Sequence, residues 1–129
     1  MKIEHIALWV NNLELMREFY QSYFHASSND KYINSTKGFE SYFLSFSEGA
    51  RLEIMQMQSI PPCLHEPGEQ HTGLIHFALS LGSRTAVDRL TTRLKEDGHT
   101  VVDGPRTTGD GYYESVVLDP EGNRIELTV

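Results

Sequence analysis

The chain has 129 residues, 39% hydrophobic and 22% charged, which suits one compact domain or two closely packed halves with a real core. A formal net charge of −7 and a pI near 5.3 give no broad basic footprint, arguing against nucleic acid or an anionic membrane surface as partner. No run approaches the roughly 20 apolar residues of a membrane span. The opening "MKIEHIALWV" lacks a signal peptide's apolar core and cleavage site. The single cysteine, Cys63, forms no internal disulfide, so a cytoplasmic location is expected.

Residues 3–10, "IEHIALWV", form a β-branched and aromatic run with strand character, and Asn11 or Asn12 then offers a helix N-cap. Leu13, Met16, Phe19, Tyr20, Tyr23 and Phe24 follow at helical spacing as one apolar stripe. Strand-like runs come next at "SSNDKYIN", "FESYFLSF" and "ARLEIMQM", separated by turn chemistry at Gly38 and "SEG". The first half, 1–57, therefore reads β-α-β-β-β.

Residues 58–72, "QSIPPCLHEPGEQHT", contain three of the five prolines and no sustained periodicity, as a linker would. The second half, 73–129, repeats the first. "LIHFALSL" reads as a strand, and Ser83 caps a helix with its stripe at Ala86, Val87, Leu90 and Leu94. Gly98 is placed to close that helix in the left-handed conformation. Strands near "TVVDG", "YYESVVL" and "NRIELTV" complete it, with "DPEG" as the last turn.

The halves also share words. "EGARLEIM" (48–55) and "EGNRIELT" (121–128) align with an offset of 73, matching Arg51 with Arg124 and Glu53 with Glu126. "HIAL" at His5 and "HFAL" at His76 align with an offset of 71. A lone strand histidine or glutamate is usually an ordinary core or surface residue; what singles these out is their recurrence in a duplicated unit. Strand alternation puts His5 with Ala7 and Trp9, Glu53 with Arg51, Met55 and Met57, and Glu126 with Arg124 and Thr128. The aliphatic faces are left for the helices to cover, and the His and Glu faces for a concave side. Carboxylates there call for a compensating cation, which Arg51, Arg124 or a divalent metal ion would supply. His25, His65, His71 and His99 fall in loops or element ends and read as exposed, and the Gly-rich turn before Tyr112 and Tyr113 lacks a phosphate-loop pattern.

These paired βαβββ modules, the "HIAL" and "HFAL" openings and the "RLEIM" and "DPEGNRIEL" endings resemble the vicinal oxygen chelate superfamily of glyoxalases, bleomycin-binding proteins and extradiol dioxygenases. The resemblance covers essentially the whole chain. It implies an α+β fold of two tandem modules whose curved mixed sheets form a half-barrel cavity, with helices on the convex side. The order His5, Glu53, His76, Glu126 is similar to the ligand set of bacterial glyoxalase I. It implies one divalent ion per site, zinc or nickel first and cobalt, manganese or iron as alternatives, and a homodimer in which the site lies within one chain or across two.

Four such ligands leave two positions on a six-coordinate ion for adjacent substrate oxygens, which suits proton transfer through an enediolate. The resemblance makes Glu126 the main base, with Glu53 as the second candidate. Glutathione-using relatives typically carry an Arg and an Asn where this chain has Trp9 and Met57. These two are therefore the expected substrate-binding residues, in an apolar wall poorly suited to a glutathione hemithioacetal. The expected function is a metal-dependent lyase or isomerase acting on a small oxygen-chelating molecule. The alternative is a non-catalytic binder of bleomycin-type antibiotics.

Overall fold

The computed structural model describes residues 1–129. The elements are β1 (His5–Trp9), α1 (Leu13–Phe24), β2 (Ser27–Ser28), β3 (Tyr32–Asn34), β4 (Phe39–Ser45) and β5 (Arg51–Met57), then β6 (His76–Ser80), α2 (Arg84–Glu96), β7 (Val101–Thr107), β8 (Tyr113–Leu118) and β9 (Arg124–Thr128). The chain divides into two compact units, Met1–Leu64 and His65–Val129. Residues 58–75 contain neither helix nor strand. The fold is α+β, two tandem modules each with one helix and a mixed sheet.

In the first unit the order across the sheet is β1-β5-β4-β2, with β3 also paired to β4. β1 runs parallel to β5, and the other pairs are antiparallel. A parallel pair needs a long crossover, which begins with α1. Asn12 caps that helix by accepting from the Leu15 N–H at 3.1 Å. Leu13, Met16, Phe19 and Tyr20 are buried, as are Tyr42, Leu44, Leu52 and Ile54 on the facing strands. Each such side chain contributes about 1.5–3 kcal/mol of burial.

The single strand expected over "SSNDKYIN" is instead two short ones. The break comes at Asn29, whose Oδ1 accepts from the Phe43 N–H at 2.8 Å and whose N–H donates to the Phe43 carbonyl at 3.3 Å. Asn29 thus bonds the β4 backbone through its side chain as well as its N–H, where a regular ladder would use backbone groups alone.

In the second unit the order is β6-β9-β8-β7, with β6 parallel to β9. Ser83 caps α2, accepting from the Ala86 N–H at 3.2 Å. At the other end Gly98 has φ +89, and the His99 N–H reaches the Leu94 carbonyl at 2.8 Å. That is the left-handed stop anticipated for Gly98. Val87 and Leu94 are buried as expected; Thr91 joins them, its Oγ1 2.7 Å from the Val87 carbonyl and 2.6 Å from Ser115 Oγ. The helix therefore absorbs a hydroxyl into its core face because a buried partner waits on β8.

β7 runs past the expected Gly104 to Thr107, with two register shifts against β8. Gly104 has φ +78, and a Cβ there would lie 2.6 Å from the Glu114 carbonyl oxygen, so this close strand approach requires glycine.

The "DPEG" turn is held by Asp119, which is 4% exposed. Its carboxylate accepts from the Glu121 N–H at 3.0 Å, the Asn123 N–H at 2.9 Å and Asn123 Nδ2 at 2.8 Å. These bonds set where β9 begins. Asp119→Ala is expected to cost about 2–4 kcal/mol in urea unfolding; a loss under about 0.5 kcal/mol would show that the turn is held by other means.

Candidate functional site

In the first unit the ladder places Ala7, Glu53 and Phe43 side by side, one on each of three neighbouring strands. His5 precedes Ala7 by one pleat repeat on the same face, and its Nε2 lies 3.9 Å from Glu53 Oε2. In the second unit the matching row is Ala78, Glu126 and Val116, and His76 Nε2 lies 3.4 Å from Glu126 Oε2. Both separations exceed an ordinary N–H···O hydrogen bond. They approach the roughly 3 Å between two donors that each sit about 2.1 Å from a shared ion. The glutamate side chains are 15% and 19% exposed, against 41% and 43% for the imidazoles. Both carboxylates are thus largely covered while their histidines stay accessible.

The structure therefore brings His5 together with Glu53, and His76 with Glu126. Neither unit gathers three His, Cys, Asp or Glu side chains around one point. Trp9 lies on the His5 face and is 42% exposed, and Met57 ends β5 beside Phe39. His65 and His71 stack on each other with ring centroids 4.1 Å apart.

The arginines do not do what charge balance suggested. Arg51 donates from Nε to Glu4 at 2.8 Å and also from Nη2, and its guanidinium lies 4.1 Å over the Phe43 ring. Glu4 also contacts His5 Nδ1. The bond to His5 first, and that to Arg51 next, hold the Glu4 carboxyl below its usual range. The result is an Arg51–Glu4–His5 chain that fixes the imidazole with Nε2 on the Glu53 side. In the second unit Ile75 stands where Glu4 would be, and Arg124 donates from Nη1 to the Gly68 carbonyl at 3.0 Å instead.

Reading the residues alone missed Glu4 and Glu114. In the strand expected over 3–10, alternation puts Glu4 opposite to His5; β1 instead begins at His5, and Glu4, just before it, reaches the imidazole. Glu114 follows the alternation of Val116, but only the register, Val116 opposite Glu126 and Glu114 opposite Thr128, puts it diagonal to Glu126 on one face. Arg106 Nη2 lies 3.6 Å from Glu114 Oε1, while Arg106 Nε holds Asp103 at 2.6 Å. Burial foremost, and then the Glu126 charge, push the Glu114 carboxyl above the usual carboxylate range, with Arg106 opposing.

A raised carboxyl in the folded state favours folding below its unfolded value and loses that contribution as pH rises through the folded value. Glu114→Gln in metal-free protein is therefore expected to raise the melting temperature by about 2–5 °C at pH 8. The gain should shrink towards pH 4; a pH-independent difference would mean that Glu114 is not held against its charge.

A family model for the Glyoxalase/Bleomycin resistance protein/Dioxygenase superfamily matches residues 2–127. Comparison with curated protein sequences finds no match. Among solved structures, one described as a possible glyoxalase from Bacillus cereus is 26% identical with a TM-score of 0.73, over 100% of this chain and 99% of that one. Two others share the fold at lower identity. The trypanothione-dependent glyoxalase I of Leishmania major matches at 18% identity and TM-score 0.76, over 99% of this chain and 86% of that one. Glyoxalase I from Zea mays matches at 21% and 0.79, over 98% of this chain but only 44% of that longer one. With nearly every residue inside the family match and both modules in place, the chain belongs to the Glyoxalase/Bleomycin resistance protein/Dioxygenase superfamily.

Proposed function

We propose that this protein is a glyoxalase I-like, metal-dependent lyase or isomerase that moves a proton between adjacent carbons of a small, oxygen-chelating substrate. The observation that carries this reading is the recurrence of one arrangement in both units. An accessible imidazole from the first strand turns Nε2 towards a largely covered glutamate from the last strand. Two imidazoles and two carboxylates form a donor set for a divalent ion such as zinc or nickel, and His5, Glu53, His76 and Glu126 are its proposed ligands. Each unit supplies one His/Glu pair of that set. When bound, such an ion supplies Lewis acidity to two neighbouring substrate oxygens.

The protein's own residues supply the proton transfer. Glu126 would take a proton from one substrate carbon and return it to the neighbouring carbon, and Glu53 is the second candidate for that work. Glu126 is the better placed of the two in a polar setting, with Glu114 and Arg106 on its own sheet face. Glu53 has Ala7 and Phe43 as direct strand neighbours. Trp9 and Met57 give the sheet face that carries His5 and Glu53 an apolar character, which points away from a standard glutathione hemithioacetal. The reading includes a cytoplasmic location. The exposed aromatic side chains near Trp9 favour, as second reading, a non-catalytic binder of flat molecules.

Elemental analysis of the purified protein tests the ligand set. About one divalent ion per chain is expected, with most of it lost in His76→Ala and in Glu126→Gln. Metal-free protein that takes up neither zinc nor nickel would leave the binding-protein reading in its place. Glu4→Gln probes the outer support of His5. It should weaken zinc affinity roughly tenfold with the fold unchanged, and unaltered affinity would reduce the Arg51–Glu4–His5 chain to a surface ion pair.

A further inference from the structure

One pleat repeat beyond the Glu53 row, about 7 Å along the strands, the first unit's sheet carries a row of different chemistry. The ladder aligns Trp9 with Met55, Met55 with Ser41 and Ser41 with Tyr32, so the row crosses from β1 to β3 on the His5 and Glu53 face. Phe39, in the next row beside Met57, joins its two ends. Its ring meets Trp9 edge-on at 5.9 Å between centroids and Tyr32 at 6.0 Å. Trp9 is 42% and Tyr32 54% exposed, so both rings present surface to solvent.

Charge narrows what this surface suits. No ionisable carboxylate or cation stands in the row. The one cation nearby on this face, Arg51, lies on the far side of Glu53, already bonded to Glu4 and stacked on Phe43. Nothing here would neutralise a ligand's carboxylate, whereas edge-to-face aromatic contacts and two thioethers favour a flat, polarizable, uncharged group.

We propose that Trp9, Phe39 and Tyr32 form the subsite for an aryl substituent, making the substrate an aryl-bearing α-hydroxy or α-oxo compound. The ring lies on this row, and the adjacent oxygen pair lies towards the His5 and Glu53 side. The direction of the oxygens rests on the metal-site reading above; the ring subsite does not.

Trp9 is the chain's single tryptophan, so its fluorescence reports on this row alone. Zinc-loaded protein is titrated with mandelate and with lactate, which offer the same oxygen pair with and without a ring. Metal-free protein is titrated with benzyl alcohol, which has the ring but no oxygen pair. Mandelate is expected to bind at least tenfold more tightly than lactate by calorimetry and to change Trp9 emission saturably. The ratio should fall towards one in Trp9→Ala and recover in Trp9→Phe, with Phe39→Ala giving a partial loss. Saturable benzyl alcohol binding to Trp9 in protein that takes up no zinc would uphold the ring subsite while the metal reading fails. Equal mandelate and lactate affinities in protein that does bind zinc would overturn the subsite while the metal reading stands. A ring preference that survives Trp9→Ala and Phe39→Ala would also overturn it. So would Trp9 emission that shifts to the blue with rising protein concentration, which would place a second copy of the chain on the row.

Discussion

In β5 and β9 the residues that face the helices, Leu52, Ile54, Ile125 and Leu127, are almost entirely withdrawn from solvent, and Glu53 and Glu126 alternate with them. A strand that slipped by one residue would turn its glutamate into the apolar layer and its aliphatic side chains outward. The cost, an unpaired carboxylate without solvent plus two lost hydrophobic contacts, amounts to several kcal/mol. The force that holds each helix on its sheet therefore also holds each carboxylate on the opposite face. The parallel pairing with β1 and β6 then carries His5 and His76 to the same side.

Around this common plan the two units have diverged, and the divergence bears on chemistry. His5 is steadied by Glu4 and Arg51, a support that Ile75 cannot provide for His76. Glu126 shares its face with Glu114, Arg106 and Asp103, while Glu53 shares its face with Phe43, Trp9 and methionines. One sheet thus surrounds its pair with exchangeable protons and charge, and the other with rings and thioethers. The proposed division between proton handling and recognition of an apolar substituent rests on that contrast.

Membership of the superfamily accounts for the duplicated fold but leaves the chemistry to particular residues, because one fold serves lyases, dioxygenases and binding proteins alike. Here the decisive features are local: two recurring His/Glu pairs, an aromatic row one pleat repeat away, and arginines already engaged by Glu4 and by the Gly68 carbonyl.

The sequence by itself determined the α+β class, the duplication, the Ser83 cap, the first helix's cap to within Asn11 or Asn12, and the face on which His5, Glu53, His76 and Glu126 lie. All of these are local: alternation in a strand, 3.6-residue spacing in a helix, and the preferences of Asn12, Ser83 and Gly98. Several features were decided only by the tertiary structure. The break at Asn29, the partners of Arg51 and Arg124, and the placing of Glu114 against Glu126 and of Tyr32 against Phe39 all depend on which residue lies opposite which. Strand alternation assigns a side chain to a face, but its neighbours on that face come from register and from long side chains reaching across strands. That information arises only when segments distant in the chain are brought together.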